Sequence, residues 1–342
     1  MEIIWFCLVA IMIAGYVVLD GFDLGAGIIH LFVARTESEH RQVLNSIGPV
    51  WDGNEVWLLA GGGTLYFAFP ALYSAAFSGF YLALMIVLWL LMLRGISIEF
   101  RNHIDTEVWK PFWDVVFGGA SAVLALVFGV ALGNVVRGVP LDSTGFFFLP
   151  LWVDLSVGGE PGIIDWYTLL VGVAGFFVLA LHGCLWIAYR TSGALHIRSR
   201  QFAERVWWVV LLLTFALTYF SFRIQPNLGA RFSSDPWGFV FPALALAGLA
   251  GAKFFGTRGE GLRAFLGSSL FIVGMLCSAV FGVFPYVLPG IGKPDYGLTV
   301  YNAAAAHYGL VVGLWWWIPG MALATAYSVF TYRRLSGKVS SN

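Results

Sequence analysis

Charge is what this chain is short of. Asp, Glu, Lys and Arg make up 11% of its 342 residues, against about 25% in a soluble domain. Hydrophobic residues reach 59% and mean hydropathy is +0.81. That balance excludes a soluble globular enzyme and indicates a polytopic membrane protein. Cysteine is scarce as well: Cys7, Cys184 and Cys277 stand singly in apolar stretches. With no CxxC and no Cys–His spacing, neither a disulfide framework nor a metal site is indicated. The beginning, "MEIIWF", has no basic n-region and no small-residue cleavage site, so its apolar segment is expected to remain in the product. There is no soluble domain, low-complexity stretch or convincing internal repeat, and no nucleic-acid partner is expected.

What the chain has instead is apolar runs. A helix crossing ~30 Å of hydrocarbon needs about 20 residues. Runs between polar breaks predict an all-α bundle of nine transmembrane helices over 3–33, 50–70, 74–96, 112–134, 164–189, 204–223, 237–255, 262–285 and 304–332. The second and third are parted only by "FPALYS", where Pro70 can end a helix. The loops after spans one, three, five and seven, with the C-terminal tail, hold fifteen of the nineteen Lys and Arg, Arg94 and Arg101 among them. The other side has Arg137, Arg223, Arg231 and Lys293. Positive charge concentrates on the cytoplasmic side, so the N-terminus is expected outside and the C-terminus inside. Two outer loops, 135–163 (with Asp142, Asp154 and Glu160) and 286–303, read as caps over the bundle.

Within this apolar background, four carboxylates need a reason. Asp20 and Asp23 sit inside "AIMIAGYVVLDGFDLGAGIIHLF", and Asp52 and Glu55 open the next span. Each costs roughly 2.5–3.5 kcal/mol at membrane depth on insertion scales. Asp20 lies about 26 Å into span one, in the cytoplasmic half, with Asp23 on the same face. Span two starts from the cytoplasm, so Asp52, Glu55 and Trp57 enter at that level, and Glu99 follows span three at the same edge. Grouped carboxylates in a low dielectric raise one another's proton affinity and can pass protons on. The structural alternative is also open: Asp52 and Glu55 have N-cap spacing, and Arg35, Arg41, Arg94 or Arg101 can neutralise the rest.

Histidine gives less. His182 lies near the cytoplasmic side and His307 at the outer start of span nine, so they cannot share a haem as opposed ligands. His30 is close to the inner interface, His40, His103 and His196 fall in loops, and no pair has the i, i+4 spacing of a helical metal site. Gly21-x-x-x-Gly25 and Gly129-x-x-x-Gly133 allow close helix approach. Gly61, Gly62 and Gly63 mark a place where a backbone, lipid or cofactor comes near. Trp315, Trp316 and Trp317 lie too deep for a simple outer belt, so some of them are expected to pack against a partner or lipid.

"DGFDLGAG", followed by "NSIGPVWDGNEVWLLAGGGTLYFAFPALYSAAFSGFY", closely resembles subunit II of cytochrome bd-type quinol oxidases, as does "LHGCLWIAYRTSG" at 181–193. The resemblance implies a bacterial or archaeal plasma-membrane protein paired with a haem-bearing subunit I, and in some relatives with a small single-helix accessory subunit. Haems b and d would belong to that partner, which oxidises quinol and reduces oxygen to water. Subunit II would ligate no haem, would support the partner, can hold a structural quinone or lipid, and would supply a proton path from the cytoplasm. On this chain the family's acidic residue of "GFD" is Asp23. Its "WDGN" is Trp51, Asp52, Gly53 and Asn54, followed by Trp57, and the acid after span three is Glu99. An ion-coupled secondary transporter and a purely structural scaffold remain the other readings.

Overall fold

The computed structural model describes residues 1–158, 161–292, 294–335 and 337–339. Glu160 and Lys293, placed above in the outer loops, lie outside the described residues. The described chain is helical nearly throughout: α1 Glu2–Val33, α2 Glu37–Ile47, α3 Trp51–Ala68, α4 Pro70–Gly79, α5 Tyr81–Phe100, α6 Trp109–Arg137, α7 Trp166–Arg190, α8 Gly193–Ile224, α9 Pro226–Ser234, α10 Val240–Thr257, α11 Gly261–Val283 and α12 His307–Arg334. A small antiparallel pair, β1 Tyr286–Leu288 and β2 Leu298–Thr299, lies in the loop before α12.

Eight of the described helices are long and apolar enough to cross a membrane. The helix α3 is not among them, because Asp52, Asn54 and Glu55 occupy its first turns and lower its hydropathy. Proline 70 does divide spans two and three. It sits in the first turn of α4, where its missing N–H is no loss, and the third expected span is split into α4 and α5 at Phe80. Two helices are too short to register as long apolar runs. The 11-residue α2 starts at a capping box in which Thr36 accepts from the Glu39 amide, and α9 begins at Pro226.

The helices α1 and α7 form the middle of the bundle: α1 touches α3, α6, α7 and α11, and α7 touches α1, α6, α8 and α11. Glycine sets those distances. A Cβ on Gly25 would stand 2.0 Å from the Leu179 carbonyl oxygen, and one on Gly183 would stand 2.2 Å from the Gly25 carbonyl carbon. No larger residue fits at that crossing. At Gly129 the same hypothetical atom would lie 2.7 Å from the Gly172 Cα. Both small-residue patterns therefore bring their helices onto α7. The principal core is built from α1, α2, α5, α6, α7, α8, α10 and α11, with Phe22, Ile29, Leu124, Cys184, Ile187 and Phe271 among its buried members.

Candidate functional site

The carboxylates of α1 are the starting point. Asp20 and Asp23 are both fully buried, one turn apart on the same face. Asp20 receives Arg94 of α5 in a two-pronged ion pair, with Nη1 to Oδ2 at 2.7 Å and Nη2 to Oδ1. Arg94 is itself fully buried. The arginine counted above as a cytoplasmic loop charge is therefore an internal counter-ion. The long side chain reaches in from a helix end, and fourteen basic residues remain on that side of the tally.

Asp23 is held differently. Its Oδ2 accepts from Asn54 Nδ2 of α3 at 2.8 Å, and the same amide donates to the Leu19 carbonyl at 3.1 Å. The Tyr332 hydroxyl of α12 donates to Asn54 Oδ1 at 2.7 Å. Asp23 Oδ1 is buried with no hydrogen-bond partner among the described residues, so that oxygen has room for a proton. Helices α1, α3, α5 and α12 thus supply a polar group enclosed by apolar surface, with the Tyr16 hydroxyl buried beside Asp20.

The other expected residues fall into place unevenly. Glu55 is half-buried and within electrostatic reach of Asp20, Arg94 and Asp52. Asp52 is exposed, with its Oδ1 accepting from the Gly53 amide at 2.7 Å. From the surface inward, the order is Asp52, Glu55, then the buried acids. Glu99 is exposed and its backbone carbonyl accepts from His103. Among the described residues no hydrogen bond or ion pair joins its side chain to Asp20, Asp23 or Arg94. Trp57 lies against Gly15 of α1, where a Cβ would stand 3.1 Å from its ring. Trp51 packs on the principal core and near Gly95. Of the glycine run, Gly61 faces Ile13 and Met12 of α1, while among the described residues nothing lies within 4 Å of a Cβ at Gly62 or Gly63. The described residues do not supply the close neighbour expected there.

A second polar group lies where α2 meets the ends of α1, α5 and α6. Arg101 donates to Asp114 through Nε at 2.6 Å and Nη2 at 2.9 Å, and to both oxygens of Glu37. Those bonds hold the Glu37 carboxyl below the usual range. The sequence named Arg101 only as a neutraliser and gave Asp114, Asn134, Arg137 and Tyr332 no role. Only contacts between distant segments reveal them. Arg137, one of the few outer basic residues, is buried against Asp165, which caps α7.

The chain matches the family described as cytochrome bd terminal oxidase subunit II over residues 1–335. It belongs to that family. A probable cytochrome oxidase subunit 2 from Haemophilus influenzae is 32% identical, covering 100% of this chain and 96% of the relative. The cytochrome bd-I ubiquinol oxidase subunit 2 of Escherichia coli K12 is 30% identical over 99% of this chain and 95% of its own length. The cytochrome bd ubiquinol oxidase subunit 2 of Bacillus subtilis is 33% identical over 90% and 88%. The fold is similar to a chain in the structure of bd oxidase from Geobacillus thermodenitrificans, with a TM-score of 0.73 at 15% identity over 98% of each chain. The chain is thus a helical membrane subunit of the bd quinol oxidases.

Haem groups are the pigments the resemblance implies, and His182, one of two fully buried histidines, does not fit one. His182 Nε2 donates to the Val18 carbonyl at 3.0 Å and Nδ1 meets the Ser268 hydroxyl at 2.7 Å. Its ring stacks on Phe265 at 4.6 Å. Both nitrogens are engaged, so neither is free for iron.

Proposed function

We propose that this chain is the subunit of a bd-type quinol:oxygen oxidoreductase that ligates no haem, and that it carries protons from the cytoplasm toward oxygen reduction in a haem-bearing partner. It would span the plasma membrane nine times with its N-terminus outside and C-terminus inside, counting α3 as a crossing and α4–α5 as one broken span. The skew of basic residues supports that orientation. Quinone and lipid are its proposed small-molecule neighbours.

One observation carries the proton reading: Asp23 is fully enclosed, has a neutral amide on one oxygen and, among the described residues, has no hydrogen-bond partner on the other. A carboxylate kept only for helix pairing would be expected to end as Asp20 does, with both oxygens on a cation. In this reading Asp52 receives the proton at the surface, Glu55 conveys it, and Asp23 holds it. Glu99 has no part in the line.

The test is Asp23→Asn in the assembled complex. The amide keeps the shape and the contact with Asn54 but cannot lose and regain a proton. Quinol-driven oxygen consumption should fall on the order of 10²-fold, the low end for a positioned proton-transfer group, with the haem spectrum retained. Turnover at the wild-type rate would remove the relay. Loss of the haems would make the group a scaffold feature instead.

A further inference from the structure

The polar group beneath α2 contains something the oxidase reading leaves unused. His30 of α1, His40 of α2 and Asp114 of α6 each offer a ligand atom, and these atoms all lie within 4.8 Å of one another. His30 Nε2 is 3.5 Å from Asp114 Oδ1, and His40 Nδ1 is 3.9 Å from Asp114 Oδ2. Both histidine nitrogens are buried and have no hydrogen-bond partner among the described residues. His30 itself is fully buried.

The tautomer of His30 is set by its other nitrogen. Nδ1 lies 2.8 Å from the Gly27 carbonyl oxygen. A carbonyl only accepts, so Nδ1 carries the hydrogen and Nε2 faces Asp114 across 3.5 Å. Two electron-rich atoms so placed need a cation between them, either a proton on Nε2 or a metal ion. Metal-ligating histidines characteristically donate their second N–H to a carbonyl or carboxylate, which orients the ring, and here His30 donates to the Gly27 carbonyl. Arg101 plays the corresponding part for Asp114, fixing both of its oxygens from the side. Glu37, Asp105 and Asp114 are offset by Arg41, Arg101 and Lys110 in the same ion-pair network.

We propose that His30, His40 and Asp114 bind one divalent transition ion of the zinc class, joining α2 to α1 and α6. Two imidazoles and one carboxylate are a three-ligand zinc set, with water for the fourth position. Zinc–ligand bonds of about 2.0–2.2 Å place tetrahedral donors roughly 3.3 Å apart. The separations of 3.5 and 3.9 Å exceed that spacing by about 0.2 and 0.6 Å, and all three donors lie within 4.8 Å of one another, so a small inward shift of the side chains would close them on an ion. The ligands come from three helices, so the ion would fix where the short α2 sits. The borderline donors favour zinc, copper or nickel over magnesium or calcium.

The experiment uses the whole purified complex, stripped with a chelator and then equilibrated with zinc chloride. Zinc per complex is measured by elemental analysis, and affinity by competition with a zinc-binding dye. Wild type should hold one more equivalent than either His40→Gln or His30→Gln. No hydrogen bond to a His40 ring nitrogen is found among the described residues, so its replacement spares the fold and decides the matter even if the His30 variant fails to assemble. Equal zinc content and affinity in wild type and His40→Gln would overturn the site.

Discussion

A guanidinium sealed from water cannot shed its charge in a protein, so Arg94 and Asp20 depend on each other. Both are fully buried and joined at two points. Removing one partner of such a pair costs about 3–5 kcal/mol, because the other is left as an uncompensated buried charge. Replacing both by apolar residues of similar size is often close to neutral. Arg94→Leu should therefore abolish most of the assembled complex, while Asp20→Leu with Arg94→Leu should recover much of it. Yield and melting temperature of the purified complex measure both. If the double variant is as poor as the single one, Asp20 has a task beyond matching Arg94. Half of this pair was visible in the sequence, since a carboxylate deep in an apolar run stands out by composition alone. Arg94 counts with the cytoplasmic charges and is one of four arginines able to neutralise the acids. The choice among the four was not legible, because nothing in a linear pattern tells a side chain that snorkels outward from one that turns in. Tyr332 lay beyond reach for another reason: it meets Asn54 from 278 residues away, a separation that no motif spans.

Among the elements, the long helices were legible because apolar length is a strong signal and the bilayer demands it. Their ends at Val33, Arg190 and Val283 fall within two residues of the expected limits. The short α2 was missed on that criterion, although its Thr36-x-x-Glu39 capping box is a sequence signature. It is held from outside by polar contacts: Arg198 of α8 pairs with Glu39 at 2.5 Å, Trp186 of α7 donates to the Ser46 carbonyl at 3.2 Å, and Arg101 binds Glu37. The Arg101 bonds lower the proton affinity of Glu37 in the folded state. A group of that kind contributes its stability above its unfolded value, about 4.3, and loses it as pH falls through the folded one. The melting-temperature gap between wild type and Glu37→Gln should thus be constant from neutral pH to about 5 and close as the sample is acidified further. A gap that widens in acid would contradict this assignment. The partly exposed side chain makes the neutral-pH gap a small one.

At the scale of the whole molecule, the question is which outer face meets another protein. The helix α12 keeps only Leu310 buried along its length, and Trp315 and Trp316 are 77% and 79% exposed. Lipid covers such a helix without penalty, so exposure alone does not mark an interface. Trp317 is turned in against Trp5 at 6.2 Å, so the tryptophan run divides between the two environments. The face of α3 is more telling. Gly62 and Gly63 leave its backbone bare, with nothing among the described residues within 4 Å of a Cβ at either. Glycine weakens an isolated helix by about 1 kcal/mol relative to alanine, a cost with no return inside this fold. Close approach by another backbone or a flat cofactor supplies the return, since small residues are what let transmembrane helices meet. Gly63→Leu should then leave the chain's own stability within about 0.5 kcal/mol, and slightly improve it where helix propensity acts alone. Recovery of the haem-bearing complex should fall sharply. Comparing expression of the variant chain with the haem absorbance that copurifies with it measures the two separately. Full recovery of the complex would make the bare strip of α3 a surface bathed by lipid.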